Sequence, residues 1–555
     1  KNVIIGSNTG LVAQGVDNAV IIGQAACGDG NLTSDADGTT IVGRLAGYAL
    51  TSGQGNTAVG MDALKSEDDG DFNTAIGYQS LSNQTGVSGT VGNTAVGYHA
   101  ATAVTSGVRN TMLGALSGQQ IETGQDNTAI GYASMGSSDG DVASLKNTFV
   151  GAYSGNGSWA GGNIDSNTGV GYYALGNGAM NGATLNTAVG NLALQDVTSG
   201  VSNSALGSEA GANITIGRYN IAIGVNTLIT EDVGDGTTAV GTGAGGYQNS
   251  NTDNEATGNS LFGFVAGEFN VTGIDNTYIG YESGKGVHTN SNSGNTAVGR
   301  GSMKSVTTGH SNVAVGSGSL RDSTTGINNV AIGANALLGL SDTSHNVAIG
   351  SQAGSSCTAG ENVFIGWDAA NKATSANNNT IVGSNAGSTG TNDLTTGDKN
   401  TMVGDEATFS AGSAQNQIVI GYTATGVADN TAKIGNGDIT DVYMGDNGNT
   451  WSQTSDGRLK ENVKEWDKGL DEINKLRVVE FNFKKDNPFE YNVDKKRQGI
   501  IAQEAQKVLP EMIKDDGEWL SSNTEPMVWA LVKSVQELSE KVEAQQKEIE
   551  ELKGK

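Results

Sequence analysis

One five-residue phrase, Asn-Thr-Ala-Val-Gly with close variants, recurs through most of this chain. It stands at Asn56–Gly60, Asn73–Gly77, Asn93–Gly97, Asn186–Gly190, Asn295–Gly299 and Asn346–Gly350, among others. There are 26 copies, the first closing at Gly6 and the last at Gly445. Successive closing glycines are 17 residues apart in 14 of the 25 intervals, and most other intervals span 19 to 22. At a fixed period, each repeat is one supersecondary unit that buries its apolar face only against its neighbours. The expectation is a stacked array, not a globular enzyme.

Each turn reads roughly Asn-Thr-Ala-Val-Gly-x-x-Ala-Leu, followed by a polar Thr/Ser/Gly stretch. The residue before the closing glycine is almost always Val, Ile, Leu or Phe, and the one before that is usually Ala. This predicts a short strand with a large face and a small face, both buried. Glycine supplies the bend at positive φ, and the polar stretch returns the chain. Asn fills the fourth position before the glycine in 20 of the 26 copies. Stacked turn over turn, these side chains predict an amide ladder that satisfies buried polar groups. At about 4.8 Å per turn, such an array makes a rod of roughly 120 Å.

Charge and composition divide the chain. Residues 1–454 hold 13 Lys+Arg and 36 Asp+Glu, residues 455–555 hold 18 and 22, and all three prolines lie in the second part. The array is acidic and offers no basic track to nucleic acid. No stretch has the length and apolarity of a membrane span. Cys27 and Cys357 lie many turns apart, beyond disulfide reach, and Cys27 occupies a slot usually filled by Leu. Cys27 reads as a buried apolar thiol. Lys1 falls inside a repeat, as expected of a fragment or processed product with an upstream attachment segment.

Longer turns, such as Gly131–Gly151 and Gly241–Gly263, place extra residues in surface loops, often the binding side of a solenoid. Some carry acidic groups: Asp35 and Asp37; Asp68, Asp69 and Asp71; Asp139 and Asp141; Asp232 and Asp235. Asp35, Asp37, Asp139 and Asp141 are weak calcium candidates, but none matches a full calcium loop, and polar turn residues are the default. No cofactor is expected. Trp159 and Trp367 read as loop aromatics that pack on a neighbour or stack on a sugar.

On the recurring phrase, residues 1–445 resemble the left-handed β-roll heads of trimeric autotransporter adhesins and the related arrays of phage tail fibres. The resemblance implies a homotrimer of parallel chains, with the small-residue faces toward the common axis.

The ending is built differently. Residues 446–454 read as a linker. After it come Ser455-Asp456-Gly457-Arg458-Leu459-Lys460, a helix expected at Lys468–Leu476, and a strand at Val478–Lys485. A second helix is expected from Gly499 to Leu509, stopped by Pro510. Val528, Val535, Val542 and Ile549 fall at heptad position a, and Leu531, Leu538, Gln545 and Leu552 at d, a coiled-coil pattern over about 527–553. A single helix packed on its own domain is the competing reading. These pieces in this order resemble the peptidase S74 family, the intramolecular chaperones of endosialidases and other phage tail proteins.

That resemblance implies a domain that trimerises the nascent fibre and then cuts itself off before its serine. The matching dyad is Ser455 as nucleophile and Lys460 as base, with Asp456 and Arg458 in support and Thr454–Ser455 as the scissile bond. A serine hydroxyl needs a proton acceptor, and a lysine serves if its surroundings lower its pKa. Self-cleavage is then the expected catalysis, with no external substrate.

The expected fold is mainly β: a trimeric parallel β-roll or β-solenoid rod, then a small α+β chaperone domain ending in a coiled coil. The leading function is a phage tail fibre that meets a host-surface glycan or protein receptor, located in the virion tail or at a cell surface. Alternatives are a bacterial or environmental cell-surface trimeric adhesin and, less favoured, a glycan depolymerase.

Overall fold

The computed structural model describes residues 1–439, 458 and 460–555, apart from 10–14, 30–31, 86–87, 137–143, 159–163, 251, 254, 288–289, 486–492, 495, 516 and 518–519. The chain separates into two compact units, Lys1–Lys433 and Ile434–Lys555.

The first unit is built on a 25-stranded sheet. Each turn contributes one three-residue strand, such as Thr57–Val59. Neighbours pair in parallel and in constant register: Thr57 with Thr74, Ala58 with Ala75, Val59 with Ile76. Longer turns do not shift that register, for Thr128 pairs with Thr148 and Thr238 with Ser260. The extra residues leave as loops and the strand returns to the same place. This is a parallel β-solenoid with one strand per turn. The copy closing at Gly445 lies outside the described residues.

Three devices fix the turn. The first is the closing glycine. Gly60 has φ +141°, and a Cβ there would be driven into the carbonyl of Gly77 in the next turn. Both the dihedral and the approach exclude a side chain. The second is the Asn ladder. Asn110 Nδ2 donates to the Gly124 carbonyl at 2.8 Å, and its Oδ1 accepts the backbone N–H of Asn127 at 3.1 Å. The same pattern runs from Asn295 through Asn312 to Asn329. Each amide therefore serves a donor and an acceptor that would otherwise be buried unpaired.

The third is an exchange of volume inside the turn. The middle strand residue points into the chain's own interior, where Ala58, Ala75 and Ala95 are fully buried. It meets the residue four after the glycine, commonly Leu, as at Leu64 and Leu81. In several turns where the middle residue is large, that slot shrinks to glycine. Phe149 faces Gly155, Tyr278 faces Gly284 and Met112 faces Gly118, each glycine leaving no room for a Cβ against the ring or thioether. Cys27 occupies the same slot at the second turn, and burial pushes its thiol up to about 12. Cys357 is likewise buried and free.

Besides the closing glycine, the backbone commonly bends at three positions per turn with positive φ, filled by glycine in some turns and by other residues in others, as at Phe72, Gln79 and Leu81. Left-handed conformations of this kind cost roughly 1 kcal/mol each in isolation. Cross-turn bonds such as Leu81 N–H to Ala100 O at 3.1 Å, and burial of Leu81 itself, hold them.

One expectation is corrected. The small-residue face does not look outward toward a shared axis. It lines the interior of each chain, because a one-strand turn encloses too little space for two large side chains. The outward residues are the Thr that opens each strand and the Val, Ile or Leu that ends it.

The volume exchange makes a quantitative expectation. Gly155→Leu alone overpacks against Phe149 and should cost about 1–3 kcal/mol or more. Adding Phe149→Ala recreates the Ala–Leu pairing of other turns and should recover much of that loss. A double-mutant cycle by chemical denaturation should show coupling of at least about 1 kcal/mol. Simple additivity would contradict the exchange.

Candidate functional site

Functional chemistry on a solenoid sits on its outward faces. The strand-ending residues form the first of these. Ile76, Leu113, Ile223, Phe262, Ile349 and Ile420 are each 37–45% exposed, although they are branched or aromatic and apolar. Constant register stacks them in one column along the sheet. The array thus carries an apolar line whose members, among the described strands, are all half-buried or exposed.

A second face is the corner just after the closing glycine. Tyr78 and Tyr98 stack there with ring centroids 5.6 Å apart, and Phe264 and Tyr281 at 5.4 Å. The Arg300 guanidinium lies 5.9 Å from the Tyr281 ring centre, continuing that stack into the next turn. Trp367 occupies the same corner and is exposed. Trp159 lies outside the described residues.

Three of the acidic residues accept backbone N–H groups of the preceding turn. Asp37 accepts the N–H of Asp17 at 2.5 Å, Asp71 that of Gln54 at 2.9 Å and Asp235 that of Arg218 at 2.7 Å. All three sit six residues before a closing glycine and hold the equivalent residue of the preceding turn. Asp232 accepts from the Thr215 hydroxyl, and the Asp35 N–H donates to Thr33 Oγ1 at 3.4 Å. Asp139 and Asp141 lie outside the described residues. Glu67, which carried no sequence signal, joins Asp68 and Asp69 in a carboxylate group within 4.8 Å. Yet Glu67 is spent on the fold: its Oε1 takes the N–H groups of Asp68, Asp69 and Gly70, and Oε2 takes Gln84. Burial, and then the neighbouring Asp68, push the Asp69 carboxyl up.

The second unit places the remaining candidates. Thr454, Ser455 and Asp456 lie outside the described residues, while Arg458 and Lys460 are both exposed. Helix α1 spans Leu470–Ile473, shorter than the sequence suggests because Gly469 caps it in place of joining it. Its Leu470 N–H donates to Glu537 Oε2 at 2.9 Å, and its Gly469 N–H to Glu472 Oε2 at 3.0 Å. That bond holds the Glu472 carboxyl below its usual range. Strand Val479–Phe481 pairs antiparallel with Arg497–Gly499. Helix α2, Ala502–Ala505, carries Glu504, which forms a two-bond pair with Arg477 at 2.8 and 2.6 Å. The helix ends at Ala505, four residues short of the expected Leu509, and a 3-10 turn follows at Pro510–Met512.

Helix α3 spans Glu525–Lys553. It packs on its own unit through Ala530, which joins Ala505, Leu509 and Met512 in a small core, through buried Ser534 and through Glu537. These residues are spaced four and three apart, a different face from the heptad seam. Val528, Leu531, Val535, Leu538, Val542, Ile549 and Leu552 stay 43–65% exposed. The helix is anchored by one face and leaves the heptad residues exposed. Among the described residues, no helix is long and apolar enough to cross a membrane.

An added methylene at the α3 anchor should be felt. Ala530→Leu should lower the stability of this unit by about 1–3 kcal/mol in denaturant unfolding, since Ala530 is fully enclosed. Val542→Ala, on the open face, should leave the unfolding of an isolated chain within about 0.5 kcal/mol.

Comparison with known proteins agrees with this geometry. Residues 455–514 match the peptidase S74 family, the chaperone of endosialidase. The long tail fiber protein Gp37 of Enterobacteria phage Ox2 is 36% identical over 124 residues, covering 21% of this chain and 43% of that protein. The Gp37 protein of Enterobacteria phage M1 matches over the same length at the same identity. Myelin regulatory factor homolog 1 of Caenorhabditis elegans is 34% identical over 89 residues, 15% of this chain and 10% of that protein. The chain thus spans less than half the length of these relatives. The family match, residues 455–514, lies beyond the solenoid, and that segment is similar to the peptidase S74 family.

Proposed function

We propose that the protein is a phage tail fibre, a homotrimer whose solenoid presents loops and corners to the host surface and whose C-terminal domain directs assembly. The observation that carries this is the apolar line of strand-ending residues along the sheet. Monomeric proteins rarely expose contiguous apolar surface of such extent, and a long in-register column fits an identical column on a parallel copy. The open heptad face of α3 calls for the same partner at the other unit. The Gp37 relatives support the tail-fibre role. Phage relatives favour this reading over a cell-surface adhesin.

A parallel array of near-identical turns faces a register problem. Sliding one copy past another by one turn preserves most contacts, so many misaligned assemblies lie close in energy. A template at one end removes the ambiguity. Light scattering of the full chain should give about three chain masses. Deleting residues 455–555 before expression should give aggregated or misaligned material, and normal trimers from the truncated chain would overturn the chaperone role.

Self-cleavage completes the proposal. The Ser455 hydroxyl attacks the Thr454 carbonyl as Lys460 takes its proton, the peptide nitrogen leaves as the new amino terminus, and water hydrolyses the resulting ester. Release would strip the fibre of its template and leave its stability kinetic. Ser455→Ala and Lys460→Ala should each keep the chain at full length while the fibre still folds, read by gel and by amino-terminal sequencing of any small fragment. A fragment that starts elsewhere than Ser455, or cleavage that persists in both variants, would rule this out.

A further inference from the structure

The solenoid is acidic overall, yet one stretch gathers cations. Between residues 280 and 335 the sequence carries Lys285, Arg300, Lys304 and Arg321 against two carboxylates, Glu282 and Asp322. Residues 1–454 as a whole hold 13 cations and 36 carboxylates. Four of those cations therefore fall within three successive turns. Solenoid register brings them to one corner, around a cleft of about 270 Å³ lined by Glu282, Arg300, Lys304, Ser317, Arg321 and Asn335. That is at the small end of ligand clefts, with room for a single sugar ring or an anionic group on one.

The cations differ in how far they are neutralised. Lys304 pairs with Glu282 at 2.8 Å, and Lys285 with Glu268 and Glu282 at 3.3 and 3.7 Å. Lys304 beside Glu282 holds that carboxyl below its usual range. Arg321 bonds Asp322 through Nε and Nη2 at 2.9 and 3.0 Å. Arg300 makes no ion pair among the described residues. Its guanidinium rests on Tyr281, which itself stacks on Phe264. An aromatic support of this kind restricts the side chain before any ligand arrives, so less entropy is lost on binding. A flat, pre-positioned guanidinium matches a carboxylate or phosphate with two parallel hydrogen bonds. The rest of the lining, Ser317 and Asn335, offers hydroxyl and amide groups suited to sugar hydroxyls. The cleft has no apolar wall for a hydrophobic ligand.

We propose that the Arg300–Lys304–Arg321 corner is a binding site for an anionic saccharide, a uronate or a phosphorylated sugar of a host-surface polysaccharide. The proposal rests on the host-recognition reading above and gives it a location and a ligand chemistry. A positive locus on a negative surface also sets the approach. The remainder of the array repels a polyanionic coat and this corner attracts it, so binding weakens steeply with salt.

The test uses the full chain and three immobilised polymers in biolayer interferometry: polygalacturonate for carboxylate, phosphomannan for phosphate and dextran as the neutral control. The expected result is salt-sensitive binding to one or both acidic polymers and none to dextran, and the polymer bound identifies the anion. Arg300→Ala with Arg321→Ala should weaken that binding about tenfold or more. Arg300→Glu with Arg321→Glu should abolish it. Lys372→Ala, which removes a cation paired with Asp393 elsewhere on the array, should leave it unchanged. The site is wrong if neither acidic polymer binds above dextran, if the double alanine variant binds as well as the parent, or if Lys372→Ala weakens binding equally. Host-cell adsorption separates this proposal from the reading beneath it. Adsorption that survives in the double variant overturns the site and leaves host recognition standing. Absence of adsorption by the parent overturns host recognition, while polymer binding lost in the variant still supports the site.

Discussion

The closing glycine sets the terms for everything else in the solenoid. At that point adjacent turns approach until the backbone of one meets the backbone of the next, with no space for a Cβ. Such contact forces each turn to follow the path of the last. Strands then stay in register whatever the loop length, the Asn amides come within reach of their partners one turn on, and outward side chains fall into columns. The Asn ladder, the Asp bonds six residues before the glycine and the apolar line are all consequences of that single repeated approach.

Much of this was legible in the sequence because the constraint is local and periodic. Glycine at every closure, Asn four residues earlier and a Leu slot four residues later each leave a mark at fixed spacing. Orientation of the strand was not legible. Ala beside Val says that one face is small, but which face turns inward depends on the space left by Leu64 or Leu81 across the interior. Once that Leu is inside, Ala must be too, and Val is left facing out. The pairing of Phe149 with Gly155 was in the sequence all along, yet it has meaning only when both are known to meet.

The second unit was less legible. The heptads of α3 were plain, whereas its anchoring face was not, because Ala530, Ser534 and Glu537 form no striking pattern among so many small and acidic residues. Glu537 caps α1 from 67 residues away, and no local spacing encodes that contact. Likewise the sequence shows the charge of Asp37, Asp71 and Asp235 and not the backbone N–H groups they accept from the preceding turn. The cationic corner was invisible for the opposite reason. Lys285, Arg300, Lys304 and Arg321 are scattered in sequence and gather only when three turns are stacked.

The balance of bulk between the strand's middle residue and the slot after its glycine has a further consequence. The ring of Phe149 presses on Gly155 in its own turn and on Gly169 in the next, and the ring of Phe364 presses on Gly354 in the turn before it. The fit is therefore struck between neighbouring turns as well as within one. Duplicating or excising a turn beside a bulky residue would part that residue from its void, whereas runs of Ala-centred turns would keep their fit. The length of the array is thus freest to drift by recombination, in steps of a turn, where the middle residue is Ala.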